Sequence, residues 1–157
     1  MKAKACMLWV FLFLTVVSLF GCDGGGSSSP TSPSFTPNPG VWTGTNIRFY
    51  VSSDSSKITT QGSTLRDSIG KSVSLSLWLV PYTGACSGTM ILQVTQDIPI
   101  NNLSIEYKNN NSNSTVEVKG QFSSSTNASG TYSFNITDAL CAGTVSGSGN
   151  WSASSGG

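Results

Sequence analysis

From residue 41 onward, apolar and polar residues alternate with a period of two, and helical periodicity is absent. Ile47, Phe49 and Val51 alternate with Asn46, Arg48 and Tyr50, and Val73, Leu75, Leu77 and Leu79 alternate with Ser74, Ser76 and Trp78. Met90, Leu92 and Val94, then Leu103, Ile105 and Tyr107, repeat the pattern, followed by Val116 and Val118 and by Tyr132, Phe134 and Ile136. Successive side chains of a strand point to opposite faces, so each set places its apolar members on one side of a strand. Turn-forming residues separate the runs at Ser52–Ser55, Pro81–Gly84, Asn109–Ser114 and Ser123–Gly130. Short amphipathic strands joined by polar loops predict an all-β fold of about seven to nine strands, either an antiparallel β-sandwich or a barrel-like sheet pair. The strand order stays open.

The N-terminus follows a different pattern. Lys2 and Lys4 precede an almost unbroken apolar run from Cys6 to Phe20. That run suits the apolar region of a secretory signal peptide, about 7–15 residues, better than a spanning helix, which needs roughly 20. Residues 23–40 then read DGGGSSSPTSPSFTPNPG, with Phe35 the lone large apolar side chain. Such a stretch cannot bury enough surface to offset its ordering entropy, and predicts a disordered Gly/Ser/Pro tether. The division expected is a signal peptide over residues 1–21, Cys22 with the tether over 22–40, and one β domain over 41–157.

Leu19, Gly21 and Cys22, at the end of the apolar run, resemble the lipobox of bacterial lipoproteins, with Phe20 larger than the small residue usual there. The resemblance implies cleavage before Cys22, diacylation of its thiol and anchoring in a membrane of the bacterial cell envelope, with the domain in the periplasm or at the cell surface. Two or three acyl chains hold firmly, since each buried methylene contributes about 0.8 kcal/mol. In some Gram-negative lipoproteins an aspartate after the cysteine, as Asp23 is here, marks retention in the inner membrane.

Beyond the leader, six basic and seven acidic residues nearly cancel. No basic patch offers itself to nucleic acid, and solubility rests on Ser, Thr, Asn and Gly. The chain has no histidine, which removes Ser-His-Asp and Cys-His catalysis and imidazole metal ligands. No Gly-rich loop leads into a helix to cradle phosphate. Glu106 and Glu117 could face one another across a hairpin as a glycosidase-type pair, but their alternation with Lys108 and Lys119 reads as surface charge. No catalytic residue, cofactor or metal site is expected. Six Asn-x-Ser/Thr matches, at Asn102, Asn110, Asn113, Asn127, Asn135 and Asn150, read as Ser/Asn-rich loops.

With Cys6 removed and Cys22 lipidated, Cys86 and Cys141 remain, and an exported chain with two cysteines pairs them. Each precedes a predicted strand, so the bond ties two strand starts across a loop of about 56 residues, worth roughly 4 kcal/mol by the chain-entropy account. Trp42, Trp78 and Trp151 are candidate ligand-binding residues: exposed rings on a β domain stack on sugars, whereas buried ones serve the core.

The motifs Trp42-Thr43-Gly44, Cys86-Ser87-Gly88-Thr89, Ala128-Ser129-Gly130-Thr131-Tyr132-Ser133-Phe134 and Gly149-Asn150-Trp151-Ser152-Ala153 resemble a type of small β domain met in bacterial lipoproteins and secreted proteins. The resemblance implies an architecture and no activity. The expected function is that of a non-catalytic, lipid-anchored envelope protein with a structural role or a protein or polymer partner. The alternative is a carbohydrate- or peptidoglycan-binding module.

Overall fold

The structure, a computed structural model, describes residues 34–156. Cys22, the signal peptide over 1–21 and the first part of the tether lie outside the described residues. Ten strands follow in chain order: β1 (Gly40–Thr43), β2 (Ile47–Val51), β3 (Lys57–Ile58), β4 (Leu75–Gly84), β5 (Gly88–Val94), β6 (Ile98–Asn101), β7 (Ser104–Asn111), β8 (Ser114–Phe122), β9 (Asn127–Asp138) and β10 (Gly143–Ser155). All pairings are antiparallel.

Eight strands close into a barrel in the order β1-β10-β9-β8-β7-β6-β3-β2, with β2 returning to β1. The β4–β5 hairpin is the addition. The start of β4 pairs with β2, and its end pairs with β10 through Gly84↔Val145 and Thr83↔Ser146. All-β, antiparallel architecture with one disulfide therefore holds as expected, in the closed form. The strand count reaches ten because β3 and β6 are too short to show a period.

Eight strands enclose a space that side chains can fill, and here four rings fill one part of it. Trp42 stacks on Phe49 at 5.5 Å, Phe122 meets Trp42 edge-on at 5.0 Å, and Trp151 meets Phe49 edge-on at 5.9 Å. Inward glycines make room for the rings. Gly149 lies directly opposite Tyr132, Gly147 opposite Phe134, and Gly130 opposite both Trp151 and Gly120. A Cβ on Gly130 would run into the Lys119 carbonyl and the Trp151 indole. Both long hairpin strands thus alternate glycine, apolar or aromatic residues inside with Ser, Thr or Asn outside.

Three expectations are corrected. First, the ordered domain begins ahead of residue 41. Phe35 packs against the core, Pro37 accepts a hydrogen bond from the Ser55 hydroxyl at 2.6 Å, and the Asn38 carbonyl accepts one from Trp42 Nε1 at 2.8 Å. Second, Pro81–Gly84 belongs to β4 rather than to a turn. Pro81 falls where β4 has left β2 and not yet reached β10, so its missing N–H removes no ladder bond on that side. Third, the alternation in β4 breaks between Leu77 and Val80. A bulge there turns Leu79 outward and Val80 inward.

Candidate functional site

Cys86 and Cys141 form the expected disulfide, with Cα atoms 5.5 Å apart. It joins the β4–β5 turn to the β9–β10 turn, beside the Ala85 amide that donates to the Thr144 carbonyl at 2.9 Å. The staple therefore holds the added hairpin against the barrel. Such a bond persists in an oxidising compartment, so the domain is extracytoplasmic.

The three tryptophans do not form a common platform. Trp42 is wholly buried and Trp151 is 3 % exposed. The Trp151 indole N–H is shared between the carbonyls of Lys119 and Thr131, at 3.1 and 3.2 Å. Both rings are core, which removes them as surfaces for sugar stacking. Trp78 is half-buried, on the bulge of β4.

The carboxylates serve turns and ion pairs. Across β7 and β8, Glu106 lies opposite Lys119 and Glu117 opposite Lys108. Lys119 Nζ sits 2.8 Å from Glu117 and 3.7 Å from Glu106, so a cation stands between the two acids. Asp54 closes the β2–β3 turn. Bonds from the Ser52 hydroxyl and from the Ser56 amide and hydroxyl draw its carboxyl down from 3.8 to about 2. Asp97 is held below the usual range by Lys57 at 2.6 Å, then by the Thr59 hydroxyl and the Thr60 amide. Asp138 caps the β9–β10 turn by accepting from the amides of Leu140 and Cys141. Among the described residues, no three His, Cys, Asp or Glu side chains gather as metal ligands would.

The outer face of β9 and β10, continued on β8, presents rows of polar side chains. Outward positions of β9 run Asn127, Ser129, Thr131, Ser133, Asn135, Thr137, and those of β10 run Thr144, Ser146, Ser148, Asn150, Ser152, Ser154. All are hydroxyl or amide side chains. The register sets them in rows: Asn135 beside Ser146, Ser133 beside Ser148, Thr131 beside Asn150, Ser129 beside Ser152. On β8, Thr115, Glu117, Lys119 and Gln121 extend the same rows. Neighbouring rows lie about 7 Å apart along a strand and neighbouring strands about 4.8 Å apart. Shallow, open depressions run between the rows, one flanked by Glu117, Thr131, Ser148 and Asn150, and another by Glu106, Lys119 and Thr131.

The signal for this face was present as polar residues at every second position from Asn127 to Thr137 and again from Thr144 to Ser154. It was missed because the intervening glycines read as loop. Asn110, Asn127 and Asn150, expected in loops, lie on strands, and Asn135 lies on β9 within the predicted Tyr132–Ile136 run.

Comparison with protein-family models, with curated proteins and with solved structures gave no match for this chain.

Proposed function

We propose that this protein is a non-catalytic, lipid-anchored module of the bacterial cell envelope, held at Cys22, that binds an uncharged hydroxylated polymer along the outer face of β8–β10. The carrying observation is the lattice of Ser, Thr and Asn side chains in cross-strand register on β9 and β10. The inward side chains, Trp42, Phe49, Phe122 and Trp151 among them, are buried in one core cluster, so the side chains open to a polymer are those on the outside. Hydroxyls and amides both donate and accept hydrogen bonds, which suits a glycan chain offering the same groups at regular intervals. The lattice carries no charge on β9 or β10, so it favours neutral polymer over nucleic acid or polyanion. A tether between Cys22 and the domain lets such a surface reach polymer beyond the membrane.

The test is co-sedimentation of the secreted full chain carrying Cys22→Ser with insoluble peptidoglycan and with neutral polysaccharides. Saturable binding, weakened at least tenfold by Asn150→Lys and unaffected by Trp78→Ala, supports the reading. Binding lost on Trp78→Ala and kept in Asn150→Lys transfers recognition to an aromatic platform and overturns the polar-face assignment.

A further inference from the structure

We infer that the free edge of β5 is a self-association surface, at which two copies of this chain pair antiparallel about a two-fold axis through Ile91. Among the described residues, β5 is the one strand with a single neighbour, since it pairs with β4 alone. Its other edge presents a row of unpaired N–H and C=O groups. Proteins guard such edges with lysine, proline, short length or a covering element. Here the strand is seven residues long, reads Gly-Thr-Met-Ile-Leu-Gln-Val, and carries neither charge nor proline. From Ser72 to Gln96, which includes the whole β4–β5 hairpin, the chain has no charged residue.

A second feature marks the same place. The bulge sets Trp78 and Leu79 opposite Ile91, between the pairs Leu77↔Leu92 and Val80↔Met90. Leu79 is 68 % and Ile91 63 % exposed, and Leu79 has a φ of 54°, in the left-handed region that costs a leucine about 1–2 kcal/mol. A strained backbone that turns a leucine into water, beside an exposed isoleucine on an unguarded edge, gains if a partner covers it.

The absence of charge identifies that partner as a second copy. In an isologous pairing each residue meets its own kind or a near neighbour, so a charged strand would oppose like charges, which destabilises a sheet. A neutral strand escapes that penalty and offers nothing for a charged peptide to select. With the axis at Ile91, the midpoint of Gly88–Val94, Ile91 faces its symmetry mate, Met90 faces Leu92, and Thr89 faces Gln93. Residues opposite one another share a face of an antiparallel sheet, so inward Met90 and Leu92 stay on one side and outward Thr89, Ile91 and Gln93 on the other. An interface of one strand and its bulge falls at the small end of specific contacts, so association depends on concentration in solution. The polymer-binding face lies on other strands, and neither assignment depends on the other.

The experiment is sedimentation velocity of the secreted full chain carrying Cys22→Ser, over a hundredfold concentration range. The expected result is a concentration-dependent shift from monomer to dimer, abolished by Ile91→Lys with the far-UV spectrum unchanged, and retained by Asn150→Lys. Mild oxidation of an Ile91→Cys variant should yield a covalent dimer, because directly opposed positions of an antiparallel pair lie within disulfide reach; Ser112→Cys, at the β7–β8 turn, should not. A monomer at every concentration overturns the inference. So does a dimer that survives Ile91→Lys, or one that Asn150→Lys dissolves.

Discussion

At the scale of single residues, the barrel is specified by which inward positions are empty. Four rings fill one part of the interior, and glycines opposite Tyr132, Phe134 and Trp151 give three aromatic side chains somewhere to lie. Gly130 is the most constrained of these, because a methyl group there meets two backbone atoms, the Lys119 carbonyl oxygen and the Gly120 Cα, as well as the indole. Gly130→Ala should cost about 1–3 kcal/mol by overpacking, whereas Ser129→Ala, one position away on the outer face, should stay within about 0.5 kcal/mol. Urea unfolding of the two variants measures the difference. Tyr132 and Phe134 were legible in the sequence as alternating apolar positions, whereas Trp151 was open between core and ligand surface, and the glycines were not legible at all. A glycine in a polar stretch signals a turn unless the ring across the strand is known, and that ring belongs to another segment.

At the scale of elements, periodicity located strands where it was strong and failed where chemistry other than hydrophobicity decided. β2, β7, β8 and β9 lie where Ile47–Val51, Leu103–Tyr107, Val116–Val118 and Tyr132–Ile136 pointed. The β4 bulge was invisible because Leu79 continues the alternation of Val73, Leu75 and Leu77, and the buried Val80 falls on the opposite parity. β3 has two residues and its place is set by pairing with β2 and β6, not by its own pattern. The Cys86–Cys141 bond was legible from cysteine count alone, but its role was not: it pins the hairpin outside the barrel. Its loss through Cys86→Ser with Cys141→Ser should reduce stability by about 4 kcal/mol on the chain-entropy account. Hydrogen exchange should accelerate first in β5 and the end of β4, where the hairpin has fewest other ties. Uniform acceleration across the barrel would show instead that the staple acts on the molecule as a whole.

At the scale of the whole molecule, electrostatics is confined to a few surface sites. Asp54, Asp97 and Glu117 are all held below their ordinary values, by the Ser52 hydroxyl, the Lys57 ammonium and the Lys119 ammonium respectively. A carboxylate so depressed stabilises the fold above its unfolded value and loses that contribution as pH falls through its folded value. Lys57 and Lys119 are raised by Asp97 and Glu117, so their contribution is full below the unfolded value and is lost as pH rises through the folded one. With no histidine in the chain, the melting temperature should be flat from about pH 5 to pH 9 and should fall between about pH 4 and pH 2. A step near pH 6.5 in thermal melts would contradict that.

The same distribution of charge shapes the functional account. The hairpin from β4 to β5 and the outer faces of β9 and β10 are both neutral, yet differ in kind: one is apolar with a free edge, the other a lattice of hydroxyls and amides with both strands paired. The first suits a second copy of the chain, the second a polymer rich in hydroxyl groups. The most direct test of the polymer-binding face is a map of backbone amide chemical shifts in the isotope-labelled chain, carrying Cys22→Ser, during titration with soluble fragments of peptidoglycan and of neutral glycans. The account predicts saturable shifts grouped at Ser129–Ser133 and Ser148–Ser152, with the β4 bulge undisturbed. Shifts grouped at Trp78, Leu79 and Ile91, or no shift with any fragment, would contradict it.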